Sequence, residues 1–169
     1  SHAWNMFLLG EARRDGFGGI PFGGEATQGM ERFPYNTLNA ENPGICGFGD
    51  LYQNINQMNL FISRTHHTDV LTESARNYYL GQVYGLRAYY MYQLYRSWGD
   101  VVFTEEPSLG FEVGKLAKAA TPAAEIFEQV KKDIESSLSY FGSDYTIKEK
   151  KSLWSKAATL MLKADVYLW

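Results

Sequence analysis

The stretch YYLGQVYGLRAYYMYQLYRSWGDV, residues 78–101, decides the fold. Its periodicity predicts a long helix over about 71–98. Leu80, Val83, Tyr84, Arg87, Met91, Leu94, Tyr95 and Trp98 fall along one stripe. Seven tyrosines (Tyr78, Tyr79, Tyr84, Tyr89, Tyr90, Tyr92 and Tyr95) cannot share one helix face. A buried tyrosine contributes a large ring and still requires a partner for its hydroxyl. The helix is therefore contacted on most sides and forms a central element. Gly81, Gly85 and Ala88 stand at i, i+4 and i+7, which leaves one strip of its surface nearly bare. Each glycine costs about 1 kcal/mol of helix stability relative to alanine. Close approach of a neighbouring element would offset that, so the strip reads as a docking groove in a helical stack. Arg87 lies inside the apolar stripe, where a charge is costly unless paired. It reads as half of a structural ion pair, with Asp100, Asp133 or Asp165 as the candidate partner.

Outward from this helix, four more segments carry helical rhythm. WNMFLLGEARRD, residues 4–15, predicts a short first helix. It gives way to GFGGIPFGGEATQGMERFPYN, whose glycines and prolines predict a long irregular loop over 16–48. Loops of that length in compact domains are usually functional or disordered, and the phenylalanines here argue against disorder. A second helix is expected over 48–63, with Leu51, Ile55, Met58 and Ile62 on one face. The short polar link RTHHTDV should return the chain antiparallel to it. A fourth helix is expected to open at Thr121-Pro122, with the threonine hydroxyl as N-cap and proline at the first helical position. It buries Ile126, Phe127, Val130, Ile134 and Leu138 and stops near Gly142. A fifth begins near Ser152 and continues to Trp169. The pattern is all-α, with helix pairs over 49–100 and 121–169 in a single region spanning 1–169. Ala157, Met161 and Ala164 reproduce the small, large, small spacing of a tetratricopeptide second helix.

Sixteen Lys and Arg against nineteen Asp and Glu give a net charge of −3. No long basic run appears, which argues against a nucleic-acid binder. The apolar runs are interrupted by charge, as Lys156, Lys163 and Asp165 interrupt LWSKAATLMLKADVYLW, and none approaches the roughly 18 residues of a membrane span. No export signal is legible at the first ten residues. Cys46 is the lone cysteine. It is either a small buried apolar residue or a free thiol, and no internal disulfide is possible. Aromatic content is high at 15%.

Sharper chemistry finds little support. Glu11 and Asp15 could pair as the carboxylates of a glycosidase, but Arg13 and Arg14 beside them make a surface charge cluster the better reading. His66, His67 and Asp69 lie together on the link, where a solvated turn is the default over a metal site. GFGGIPFGG lacks the Gly-Lys-Ser/Thr ending of a phosphate loop. No catalytic residue, metal or cofactor is expected.

The order of motifs LYQNINQMNLFI, YYLGQVYGLRAYYMYQLYRSWGDVVF, TPAAEIFEQVKKDIESSL and SKAATLMLKADVYLW resembles the SusD/RagB family of Bacteroidetes outer-membrane glycan-binding lipoproteins. The resemblance runs from LLGEARRD onward, and the pairing of GLRAYYMYQLYRSWGDV with KAATLMLKADVYLW is its most specific part. It implies tetratricopeptide-like helix pairs within a larger SusD-like fold, of which this is the N-terminal helical portion. It further implies a lipid-anchored, outward-facing location and non-catalytic binding of a saccharide. The partner would be a SusC-like TonB-dependent transporter. In such proteins the irregular region after the first helix supplies aromatic rings to the sugar face. Here that region holds Phe17, Phe22, Phe33 and Tyr35, with Gln28, Glu31 and Arg32 available for sugar hydroxyls. It contains no tryptophan, a departure from the starch-binding pattern. A peptide cargo of RagB type and a plain helical-repeat scaffold remain the alternatives. If the fold continues beyond this chain, the face of the last helix that meets the remainder should expose apolar side chains, and the isolated chain should self-associate.

Overall fold

The computed structural model describes residues 10–11, 47–110 and 117–169. The chain divides into two compact units, 1–51 and 52–169. The described helices belong to the second unit and to the short lead into it: α1 (Gly49–His66), α2 (Glu73–Trp98), α3 (Ala123–Phe141) and α4 (Lys156–Leu168). The expected first helix and the 16–48 loop lie outside the described residues, apart from Gly10, Glu11, Gly47 and Phe48.

α1 runs through Arg64 and Thr65 to His66, consuming part of the link expected to be irregular. Leu51, Ile55 and Ile62 are buried as the spacing predicts, but Asn59, 2% exposed, takes the position expected of Met58. α2 starts where Thr72 caps it, the hydroxyl accepting from Ala75 N at 3.3 Å. Such a cap contributes about 1 kcal/mol. At its far end Gly99 adopts φ 71 and donates its N–H to Tyr95 O, a conformation that favours glycine.

α3 begins one residue later than its sequence suggests. Thr121 is not the N-cap, because its backbone is engaged in an isolated antiparallel bridge with Val101. The acceptor at this helix start comes instead from Asp100, whose Oδ1 receives Ala123 N at 2.8 Å. The end is as read: Gly142, φ 51, donates its N–H to Leu138 O and Ser139 O. α4 starts at Lys156 and not near Ser152. Residues Glu149–Lys151 form a separate 3₁₀ turn, and the Ser155 hydroxyl caps the helix by accepting from Ala158 N.

Contacts between named residues fix the arrangement. Tyr78 meets Phe141, Arg87 meets Asp133 and Tyr95 meets Phe127, so α2 and α3 run antiparallel. Ser137 meets Thr159 and Glu135 meets Lys163, so α4 runs antiparallel to α3 and hence parallel to α2. This is the stacking of tetratricopeptide-like helix pairs. α2 is central, with Leu80, Ala88, Met91, Tyr92 and Leu94 fully buried around it, opposite Ile126, Val130 and Ile134 of α3.

The tyrosines divide into roles. Tyr78 accepts a hydrogen bond from Gln82 Nε2 at 3.1 Å, and Tyr84 stacks on Tyr140 with centroids 5.5 Å apart. Tyr92 is buried, and among the described residues its hydroxyl has no hydrogen-bond partner. The bare strip of α2 is a docking groove as its spacing suggests, filled by two rings: Phe141 at the end of α3 and Trp154 in the chain before α4. A Cβ at Gly81 would meet the Phe141 ring at 2.9 Å, and one at Gly85 would overlap Trp154 Nε1 outright. The space left at Gly85 lets Trp154 donate to Thr159 Oγ1 at 2.8 Å, and Thr159 in turn pairs with Ser137 Oγ at 2.9 Å. Ser137 Oγ donates to Gly81 O at 2.6 Å, closing a buried polar chain across three helices.

On α4 the buried side is Thr159, Leu162 and Val166. The tetratricopeptide-like trio lies away from it: Met161 is 75% exposed and Ala164 is exposed, with Leu160 and Leu168 on the same outer side.

Two outcomes are expected. Gly85→Ala gains helix propensity of up to about 1 kcal/mol but displaces Trp154, so it should lower stability by about 1–3 kcal/mol, read from urea denaturation. The 169-residue chain should elute as self-associated species in size-exclusion chromatography, and Met161→Gln with Leu168→Gln should shift it toward the monomer.

Candidate functional site

The residues assigned by resemblance to the sugar face, Phe17, Phe22, Gln28, Glu31, Arg32, Phe33 and Tyr35, lie outside the described residues, as does Cys46. Asp15, Arg13 and Arg14 do also. His66 falls in the last turn of α1 and not on the link. Its Nε2 is 3.5 Å from the Tyr84 hydroxyl, and its ring faces Tyr140 at 6.2 Å. Among the described residues no cluster of three or more His, Cys, Asp or Glu is arranged to hold a metal ion.

Of the three carboxylates available to Arg87, Asp133 is the one that meets it. Arg87 Nε and one terminal nitrogen donate to the two oxygens of Asp133, each at 2.7 Å, a bidentate fork with both side chains at 3% exposure or less. Asp100 caps α3, and Asp165 lies 3.8 Å from Arg96. Burial works against both charges. On Arg87 it is outweighed by the hydrogen bonds and charge of Asp133, which hold the guanidinium above its ordinary value and keep it cationic. On Asp133 burial outweighs the hydrogen bonds and charge of Arg87 and the hydrogen bond from Gln129, and leaves the carboxyl above its ordinary value. The remaining Arg87 nitrogen donates to Asn59 Oδ1 at 2.8 Å. Gln129 Nε2 donates to Asp133 Oδ1 at 2.9 Å, and the Tyr84 ring lies under the guanidinium at 5.2 Å. A buried arginine needs this many partners to offset its desolvation.

Asn59 extends the network to the chain after α2. Its Nδ2 donates to Thr104 O at 2.6 Å. One and two turns earlier on the same face of α1, Asn56 and Tyr52 do the same work. Asn56 both donates to Ser108 O at 3.2 Å and accepts from Ser108 N at 2.7 Å, and the Tyr52 hydroxyl donates to Val102 O at 2.8 Å. Residues 102–108 are thus a strap held by its backbone along α1. On its other side Glu105 accepts from Gln129 and Lys132, each at 3.2 Å, and approaches Arg87 at 3.8 Å. Between strap and helix is a cavity of about 320 Å³ that Ile55, Phe103, Gln53 and Lys118 help to line. Of its amides, Asn56 and Asn59 are already committed to the strap. The arrangement positions and holds chain; it presents no nucleophile beside a base and no acid–base pair aimed at open space.

Sequence reasoning missed Asn59. The available signal was its place at +4 from Ile55 on the apolar stripe, opposite a helix with an arginine in its own stripe.

Comparison with known proteins decides what this scaffold is. Residues 33–168 match a SusD-like family described as starch-binding and associating with the outer membrane. The chain belongs to the SusD-like family. NanU of B. fragilis shares 53% identity and superposes with a TM-score of 0.86, covering 99% of this chain and 33% of that one. SusD-like protein P38 of Formosa agariphila is 34% identical over 94 residues, 54% of this chain and 17% of that protein. Surface glycan-binding protein A of Bacteroides thetaiotaomicron, solved in complex with laminarihexaose, shares the fold at 19% identity, with a TM-score of 0.61 over 73% of this chain and 25% of that one. This SusD-like chain thus spans a third or less of the length of these relatives.

Removing one partner of the buried pair leaves the other charge stranded. Arg87→Met or Asp133→Leu alone should cost about 3–5 kcal/mol of stability. The double variant should recover a large part of that loss, measured as a double-mutant cycle in chemical denaturation.

Proposed function

We propose that this chain is the N-terminal helical region of a surface protein that binds an extracellular glycan without transforming it. The observation that carries the reading is the family match over residues 33–168, with its starch-binding, outer-membrane description. The geometry of the described residues is consistent with binding without chemistry: Tyr52, Asn56, Asn59, Arg87 and Asp133 are committed to holding chain in place.

The rings that meet sugar are proposed to come from the 16–48 region, where Phe17, Phe22, Phe33 and Tyr35 provide flat apolar surfaces and Gln28, Glu31 and Arg32 provide hydrogen-bonding groups. A pyranose has one C–H face that packs on an aromatic ring, while its hydroxyls need polar partners. Retention at the outer-membrane surface is proposed to rest on a lipid anchor, and delivery of the glycan on a SusC-like TonB-dependent transporter.

The test is retardation of the full-length, lipid-free protein in native gels containing polysaccharides, beside a Phe17→Ala/Phe22→Ala/Phe33→Ala variant. Retardation by a glycan that the variant loses is the expected result. Retardation that the variant keeps would move the sugar face to another part of the protein. Binding to peptides alone would replace glycan with peptide as the cargo.

A further inference from the structure

A second concavity lies at the opposite end of the helix stack from the strap. It is a cleft of about 430 Å³ between the first turns of α2 and the last turn of α3. Ser74, Asn77 and Tyr78 enter it from α2, at i, i+3 and i+4 on one helix face. Ser139, Tyr140 and the turn after Gly142 close the other side.

Its walls have three properties that belong together. The two rings are fixed. Tyr140 is stacked on Tyr84, and Tyr78 is held edge-on to Phe141 with Lys148 Nζ 3.6 Å from its ring centre. The small polar side chains are free: those of Ser74, Asn77, Ser139 and Ser143 take part in none of the hydrogen bonds formed by the described residues, whereas Asn56 and Asn59 beside the strap are both committed. The charge is balanced. Glu73 and Asp144 line the cleft as carboxylates, hydrogen bonds from Thr146 hold the Asp144 carboxyl below its ordinary value, and two cations stand at the same walls, Lys148 over the Tyr78 ring and Lys156, whose Nζ donates to Gly142 O.

We propose that this cleft is a subsite for a neutral sugar unit of a glycan, separate from the aromatic 16–48 region. The inference rests on the glycan-binding reading and assigns it a second point of contact. A carboxamide carries donor and acceptor a few ångströms apart, and a hydroxyl can do either task. Asn77 with the serines therefore matches adjacent sugar hydroxyls, each of which both donates and accepts. Fixed tyrosine rings supply the apolar surface for sugar C–H groups at little entropic cost. With two carboxylates set against two lysines the walls carry no net charge to draw an ionic group, which suits a neutral unit, and a cavity of this size holds about one or two pyranose units. Two contact points on one glycan raise its effective concentration at each, so weak subsites suffice.

The test uses the full-length protein in isothermal titration with laminarihexaose, maltohexaose, cellohexaose and mannohexaose, with Asn77→Ala and Asn77→Trp variants. Hydrogen–deuterium exchange is followed over segments 73–78 and 139–144. The expected result is protection of both segments by at least one neutral hexasaccharide. Affinity should fall at least fivefold in Asn77→Ala and further in the cleft-filling Asn77→Trp, with melting temperatures unchanged. Binding without protection of these segments, or with wild-type affinity in Asn77→Trp, overturns the subsite while leaving glycan binding intact. Protection only by a lysine-rich peptide overturns the sugar assignment. Absence of any protection by all four sugars overturns the subsite, and polysaccharide gel retardation then shows separately whether glycan binding itself stands.

Discussion

The fork between Arg87 and Asp133 organises the described structure. Each side chain alone would be a prohibitive buried charge, so α2 and α3 are stable only in the register that brings them together. The remaining guanidinium nitrogen fixes Asn59 and therefore the rotation of α1 about its axis, and Asn59 fixes the strap through Thr104. Hydrophobic burial supplies most of the driving force, but it is non-directional and would tolerate several sliding registers. The ion pair and its amides remove that freedom.

A second directional device sits earlier on α2, where the glycines admit rings. Phe141 occupies the space at Gly81 and Trp154 that at Gly85. Trp154 then anchors the entrance of α4 through Thr159, and Ser137 ties the same hydroxyl to the backbone of α2. Three helices meet at one buried polar chain with both volume and hydrogen bonds satisfied. The two devices lie on one helix, which is why α2 is the centre of the stack.

Much of this was legible. The tyrosine excess and the glycine spacing marked α2 as central and grooved, and Arg87 in an apolar stripe announced a buried partner. The motif order pointed to the SusD-like family. What periodicity could not show was which small or polar residue would take a core position. Asn59 displaced Met58 because Arg87 had a free nitrogen to satisfy, a demand set by a helix far away in sequence. Helix starts moved for similar reasons: Thr121 was drawn into a bridge with Val101, and Asp100 took over its capping role. That Trp154 would take the place at Gly85 could not be read, because it lies in the irregular chain before α4, where no periodic signal exists.

The grip of α1 on residues 102–108 is made to peptide groups: Tyr52, Asn56 and Asn59 meet carbonyls and one N–H, not side chains. Such a grip cannot tell one amino acid from another. The segment's path is therefore dictated by α1, while its own residues at most positions are released to drift. In this scaffold the place where lineages can diversify a surface at little cost to folding is set by three side chains on a different helix.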